Sequence, residues 1–95
     1  MDTEKCTVLL TAIDQGSLSG AAEALGYTPS GVSRLVASLE AELGLPLLVR
    51  GKAGVIPTPE CEALRPRFAE LASLGRACRD EAAAVRGLEA GTLTV

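Results

Sequence analysis

The sequence predicts a mainly helical protein, in which three short helices and a two-stranded hairpin are followed by one long helix. The composition favours helices, because 47% of the 95 residues are hydrophobic but only 2% are aromatic, so that an aliphatic core is expected. Apolar residues recur with helical spacing in four segments, which capping residues or glycines separate. Before the last of these segments, two short apolar runs flank a turn with two glycines, which is typical of a hairpin.

The first two helices are short and are separated by a glycine. The first is predicted over about 3–15, where apolar residues share one face. These residues are Cys6, Leu9, Leu10 and Ile13. Gly16 can end this first helix. The Ser17 hydroxyl can accept a hydrogen bond from a free amide at the start of the next helix. That second helix should run over about 18–25 and end at Gly26.

The third helix is predicted to start with Thr28 as its cap and Pro29 at its first position, where a missing amide hydrogen costs nothing. One face of this helix is apolar, and the helix is predicted to end at Gly44. Its other side is polar and carries Ser30, Ser33, Arg34 and Ser38. The predicted core of the three helices comprises Leu9, Ile13, Ala22, Leu25, Val32, Val36, Leu39 and Leu43.

The segment 47–57 is predicted to form the hairpin, with a basic tip, and a long helix follows from Pro59. Pro66 either bends the first turns of that helix or marks a later start. From Cys61 onwards its apolar residues alternate spacings of three and four, the register of a helix that pairs with another helix. Because the rest of the chain is too small to cover this stripe, a second copy is the expected cover. The predicted dimer interface comprises Leu64, Phe68, Leu71, Gly75, Cys78, Ala82 and Val85.

The sequence offers no catalytic or metal site. It has no histidine, and its three cysteines are far apart, with no C-x-x-C pair that would suggest zinc. No nucleophile stands beside a base and no glycine-rich loop suits a phosphate, so an enzyme is not expected. We therefore predict no metal or cofactor, and reduced thiols. No apolar run approaches the roughly 20 residues of a membrane span, and the N-terminus lacks a signal peptide's basic start, so a cytoplasmic protein is expected.

The order of the elements meets the physical requirements for reading duplex DNA. A short helix, a turn and a helix with outward polar residues allow the second helix to enter the major groove while the first crosses the backbone. The hairpin can then touch flanking phosphates or the minor groove. This arrangement is a winged helix-turn-helix, with its helix-turn-helix unit over about 18–37 and its wing over about 47–57. The net charge of −3 opposes DNA binding, but residues 28–52 carry a net +1, so the binding face should be small and local.

The candidate DNA contacts are hydroxyls that can donate to phosphates, cations that can pair with phosphates or base edges, and the free amides at the start of the third helix. They are Ser17 and Ser19 on the bracing helix, Thr28, Pro29, Ser30, Ser33 and Arg34 on the third helix, and Arg50 and Lys52 on the wing. Each has a structural alternative, because serine and threonine can simply cap helices and exposed cations can simply be solvated.

Several motifs resemble the N-terminal signature of LysR-type transcriptional regulators, in the same order and spacing over the whole chain. They are Gly16-Ser17-Leu18 with Ala21-Ala22, the runs 25–34, 39–44 and 47–50, and the run 58–64. The sequence departs from the family at Pro29 and Ser30, where glutamine and proline are common, and at Gly20 and Leu48, where a basic residue and phenylalanine are common. These departures concern base preference and affinity, and leave the expected fold unchanged.

The resemblance implies a homodimeric regulator that binds a pseudo-palindromic operator in double-stranded DNA and pairs through antiparallel long helices. It divides the chain into a DNA-binding domain over 1–58, a linker and dimerisation helix over 59–88, and, at 89–95, the opening strand of an effector domain. That further domain would sense a small molecule, and the full-length protein would extend to tetramers. The alternative is a winged-helix module that binds protein rather than DNA, which the acidic composition keeps open; salt-dependent binding to random duplex separates the two.

Overall fold

The computed structural model describes the backbone of residues 2–94 and the side chains of residues 2–88. The elements follow in the predicted order: α1 (Thr3–Gln15), α2 (Leu18–Leu25), α3 (Pro29–Leu43), β1 (Leu48–Gly51), β2 (Gly54–Pro57) and α4 (Pro59–Thr94). The two strands form one antiparallel sheet, in which Val49 pairs with Ile56 and Arg50 with Val55. The predicted fold class, three helices with a two-stranded wing and a long last helix, is confirmed.

Side-chain caps and glycines set the ends of the short helices. The hydroxyl of Ser17 accepts a hydrogen bond from the Gly20 amide at 2.9 Å, at the start of α2. Thr28 caps α3 in the same way, through the Gly31 amide at 3.0 Å. Each of the three short helices ends at a glycine with a left-handed backbone, φ between 68° and 77°. Helix ends that depend on contacts a few residues apart therefore follow from the local sequence.

The centre of the fold is α1, with α2, α3 and α4 around it. Every residue from Thr3 to Ile13 is buried or partly buried, so α1 has no free side over that length. Of the eight residues predicted to form the core, five are buried: Leu9, Ala22, Val32, Val36 and Leu39. The other three are partly buried against them. The prediction missed Val8 and Ala12, which are fully buried, because it assumed a single apolar face on a helix that is enclosed all round.

The hairpin is held against the helices at both ends. The Val55 amide donates to the Gly16 carbonyl at 3.0 Å, which fixes β2 beside the turn between α1 and α2. Gly54 has a φ of 120°, and a Cβ at this position would collide with the same carbonyl oxygen, so the close approach requires glycine. At the other end, the Glu40 carboxylate accepts a hydrogen bond from the Leu47 amide at 2.7 Å.

The last helix, α4, is longer than predicted. It begins at Pro59, and Pro66 lies inside it, so this proline removes one backbone hydrogen bond without ending the helix. The family resemblance predicts a helix end near residue 88 and a strand at 91–95, but residues 91–94 are helical, and residue 95 lies outside the described part. A strand needs a neighbouring strand for its backbone hydrogen bonds, and the only sheet among residues 2–94 is the hairpin.

The first half of the α4 stripe packs inside this chain. Phe68 is only 2% exposed, and Leu64 and Leu71 are partly buried against the core. Gly75 is buried against α1, where an added Cβ would collide with a threonine side chain. The predicted interface therefore needs correction at Phe68 and Gly75, which this chain itself buries, whereas Leu64 and Leu71 keep part of their surface and stay a prediction. The element that α4 packs against most extensively is α1, so α1 covers the buried side of this part of α4.

The second half of the stripe is exposed. Leu74 is 66% and Val85 is 50% exposed, and with Cys78 and Ala82 they line one shallow groove along α4. We call these four residues the outer α4 face. Among the residues whose side chains are described, no other element covers it. The predicted interface residues Cys78, Ala82 and Val85 therefore remain available to a partner.

Candidate nucleic-acid interface

A helix-turn-helix unit is formed by α2, the turn at Gly26 and Tyr27, and α3. The Tyr27 amide donates to the Ala22 carbonyl at 2.9 Å and so closes the turn. The Tyr27 hydroxyl donates to the Glu4 carboxylate at 2.7 Å, and this hydrogen bond raises the pKa of Tyr27. The turn before α3 is thus linked to the start of α1 by one exposed hydrogen bond.

The first half of α3 presents a polar surface to solvent. Its hydroxyl pair, Thr28 and Ser30, lies with the two side-chain oxygens 3.3 Å apart at the helix start. Arg34 is exposed and makes no hydrogen bond or ion pair with the side chains described for residues 2–88. No acidic residue occurs between Glu23 and Glu40 in the sequence. The exposed residues of this surface are Thr28, Pro29, Ser30 and Arg34.

The wing lies beside α3, and one hydrogen bond joins the two. Nη2 of Arg50 donates to the hydroxyl oxygen of Ser33 at 2.7 Å. Lys52 lies at the exposed tip between the strands and has no hydrogen bond or ion pair within the described part of the chain. We call residues 28–34 together with Arg50 and Lys52 the α3–wing face.

The start of α2 lies next to the first residues of β2, close to the wing tip. Ser19 is exposed, whereas Ser17 is partly buried and uses its hydroxyl oxygen as the helix cap. The hydrogen bond from Val55 to Gly16 places β2 directly before this helix start. Of the nine residues predicted to contact DNA, hydrogen bonding pairs Thr28 with Ser30 and Ser33 with Arg50; it does not join the others.

The cations of the α3–wing face have no carboxylate partner among the described side chains, and the same holds for Arg76 and Arg86 of α4, whereas the remaining cations form ion pairs. Three cations elsewhere form close ion pairs with carboxylates: Lys5 with Glu42 at 2.7 Å, Arg65 with Glu62 at 2.9 Å and Arg67 with Glu70 at 2.9 Å. The bond from Lys5 lowers the pKa of Glu42. By contrast, none of Arg34, Arg50 and Lys52 pairs with a carboxylate among the described side chains. The α3–wing face therefore keeps its positive charge, although the chain as a whole is acidic.

Sequence reasoning missed two residues that shape this face. In the sequence, Glu40 lowers the local positive charge. In the structure, its carboxylate accepts hydrogen bonds from the backbone amides of Leu47 and Leu48, at the start of β1. Gly54 was identified only as a turn residue, whereas its missing Cβ lets the wing approach Gly16. The contact between Gly54 and Gly16 joins segments that are distant in sequence, and the Glu40 contacts, seven and eight residues apart, depend on how the chain turns after α3.

The described residues offer little else that is chemically reactive. They contain no group of three or more histidine, cysteine, aspartate or glutamate side chains suited to a metal ion. Cys6 and Cys61 are buried, and burial raises the pKa of both thiols, while Cys78 is exposed. No helix among these residues is long and apolar enough to cross a membrane.

Comparison with known proteins identifies the same unit. Residues 4–62 match the family described as bacterial regulatory helix-turn-helix protein, lysR family. The chain is 33% identical over 95 residues to a probable HTH-type transcriptional regulator, LrrA, of Synechococcus elongatus, and it covers 32% of that protein. It thus spans about a third of the length of this curated relative.

Solved structures give the same result at the level of the fold. Full-length LysG of Corynebacterium glutamicum with bound arginine is 30% identical, with a TM-score of 0.72 over 88% of this chain and 29% of that one. The BenM DNA-binding domain in complex with benA site 1 DNA is 26% identical, with a TM-score of 0.75 over 90% of this chain and 97% of that one.

Proposed function

This chain belongs to the lysR family of bacterial regulatory helix-turn-helix proteins, and we propose that it is the DNA-reading part of a transcriptional regulator. The observation that carries the proposal is the α3–wing face, where three cations without carboxylate partners lie on the polar first half of α3 and on the wing beside it. Phosphates supply most of the attraction in such an interface, so uncompensated cations matter more than the net charge of the chain. The BenM domain, solved in a DNA complex, supports this assignment.

In the proposed complex, α3 enters the major groove and α2 crosses the backbone. Arg34 reaches base edges or phosphates from the exposed side of α3, with Thr28, Pro29 and Ser30 at the helix start near a phosphate. Ser17 and Ser19 approach the backbone at the start of α2. Lys52 at the wing tip meets a flanking phosphate. Arg50 and Ser33 join this set where the wing, close to its tip, meets α3.

We further propose that two copies pair through the outer α4 face. This face is exposed and apolar, and its small residues Cys78 and Ala82 allow another helix to come close. A two-fold pair would place two α3 helices about one turn of DNA apart, or a multiple of it, and so select a pseudo-palindromic site. Residues 1–58 then form the reading domain and α4 the linker. A bound effector and a tetramer would belong to the full-length protein, which acts on the chromosome and hence in the cytoplasm.

Fluorescence anisotropy with a random duplex tests the function. We expect binding that weakens steeply as salt rises from 50 to 200 mM, because each phosphate contact adds about −0.9 to the slope of log K against log salt. Absence of binding at 50 mM salt would refute the DNA-reading function. That result would favour the alternative, a winged-helix module that binds protein.

A further inference from the structure

We infer that Ser33 is a positioning residue for Arg50, and that Arg50 held in this way forms the site for one backbone phosphate between α3 and the wing. The inference rests on the proposed function and deepens it. Its basis is the 2.7 Å hydrogen bond from Nη2 of Arg50 to the Ser33 hydroxyl oxygen, the one hydrogen bond between side chains of α3 and the wing in the described part.

The exposure of the two side chains separates their roles. Arg50 is exposed, whereas Ser33 is partly buried. Arg50 therefore offers more of its surface to an incoming phosphate than Ser33 does. Ser33 acts through Arg50, which differs from the sequence-based expectation that Ser33 donates to a phosphate itself.

The backbone beneath Arg50 is well anchored. Arg50 pairs with Val55 across the hairpin, and the Val55 amide is bound to the Gly16 carbonyl at 3.0 Å. Val55 is also only 6% exposed. With its backbone anchored in this way, the long Arg50 side chain is further restricted when Ser33 accepts a hydrogen bond from its guanidinium. A guanidinium ordered in advance loses less entropy when it binds a ligand.

The chemistry of the contact leaves the cation available. A hydroxyl is neutral, so it orients the guanidinium without cancelling its charge, unlike the carboxylate that pairs with Arg65 or Arg67. Of the five N–H donors of Arg50, the bond to Ser33 uses one, and the rest remain for a phosphate. Two of them in parallel suit the bidentate geometry that arginine offers to phosphate and lysine does not.

A double-mutant cycle tests the inference, with Ser33→Ala, Arg50→Ala and the double variant measured by anisotropy against the same duplex. We expect Arg50→Ala to weaken binding by about tenfold and to reduce the salt slope by about one unit per copy. Ser33→Ala should weaken binding by about threefold in the native background, from the loss of one hydrogen bond. In the Arg50→Ala background, Ser33→Ala should change nothing.

Two further variants and a control complete the design. Ser33→Thr keeps the hydroxyl and should restore most of the affinity lost in Ser33→Ala. Arg50→Lys keeps the positive charge but loses the two parallel N–H donors of the guanidinium. The salt slope should therefore stay near native while the affinity for the duplex falls. Ser73→Ala, at an exposed serine of α4, should leave binding unchanged. Circular dichroism checks that each variant is folded.

The outcomes distinguish the inference from the function on which it rests. If Ser33→Ala weakens binding equally with and without Arg50, Ser33 does not act through Arg50 and the inference is refuted, while the DNA-reading function stands. An unchanged salt slope in Arg50→Ala would also refute it, because Arg50 would then hold no phosphate. Absence of duplex binding by the native chain would refute both.

Discussion

Replacing Gly54 with alanine should loosen the wing, because the structure leaves no room for a side chain at this position. A Cβ on Gly54 would collide with the carbonyl oxygen of Gly16, the same atom that accepts the hydrogen bond from Val55. The backbone φ of 120° is also one that residues with a side chain rarely adopt. The wing must therefore move away from the turn between α1 and α2.

The magnitude follows from two costs. A non-glycine residue in a disfavoured backbone region costs about 1–3 kcal/mol. Loss of the Val55 hydrogen bond adds about 0.5–1.5 kcal/mol. We therefore expect Gly54→Ala to lower the free energy of unfolding by about 2–4 kcal/mol in a urea titration followed by circular dichroism.

Gly87→Ala is the matched control. Gly87 lies in α4, where an added Cβ meets nothing within 4 Å, so alanine should stabilise the helix by about 0.5–1 kcal/mol. The same substitution thus has opposite signs at the two positions. A Gly54→Ala variant as stable as the native chain would show that the wing does not depend on its contact with Gly16.

Three other substitutions test the core, the reading helix and the outer α4 face. Phe68→Ala should destabilise the chain by about 3–5 kcal/mol in urea, because this ring is 2% exposed; a loss below about 1 kcal/mol would contradict its place in the core. Arg34→Ala should weaken binding to a selected operator by about 1–3 kcal/mol, and unchanged affinity would exclude Arg34 from the contacts. Val85→Asp should give folded monomers in sedimentation, while Ala83→Asp, about 140° around the helix from Cys78, should leave the dimer intact. A dimer that persists in Val85→Asp would refute the outer α4 face as the interface.

Local signals predicted the reading unit well. The caps at Ser17 and Thr28 and the glycines that end the short helices act over a few residues, so the sequence alone identifies them. The hairpin and its basic tip also follow from neighbouring residues. The winged helix-turn-helix was therefore predictable in full, while the candidates for DNA contact stay a prediction.

Contacts between distant segments were not predictable from local patterns. In the sequence, the stripe from Leu64 to Gly75 looks the same as a partner-binding surface. The spacing of its apolar residues does not depend on whether they pack against α1 or against a second copy. What distinguishes the two cases is the enclosure of α1, which appears only when the helices are assembled. The hydrogen bond between Ser33 and Arg50 likewise depends on the position of the wing relative to α3.

The central claim is that DNA contacts the α3–wing face, and backbone amide NMR of the 95-residue chain during titration with a duplex tests it most directly. The account predicts that the largest shifts fall on residues 28–34, on Arg50 and Lys52, and on the start of α2. Amides of α4 near Leu74 should move little. Shifts centred on the outer α4 face, with residues 28–34 unchanged, would contradict the account.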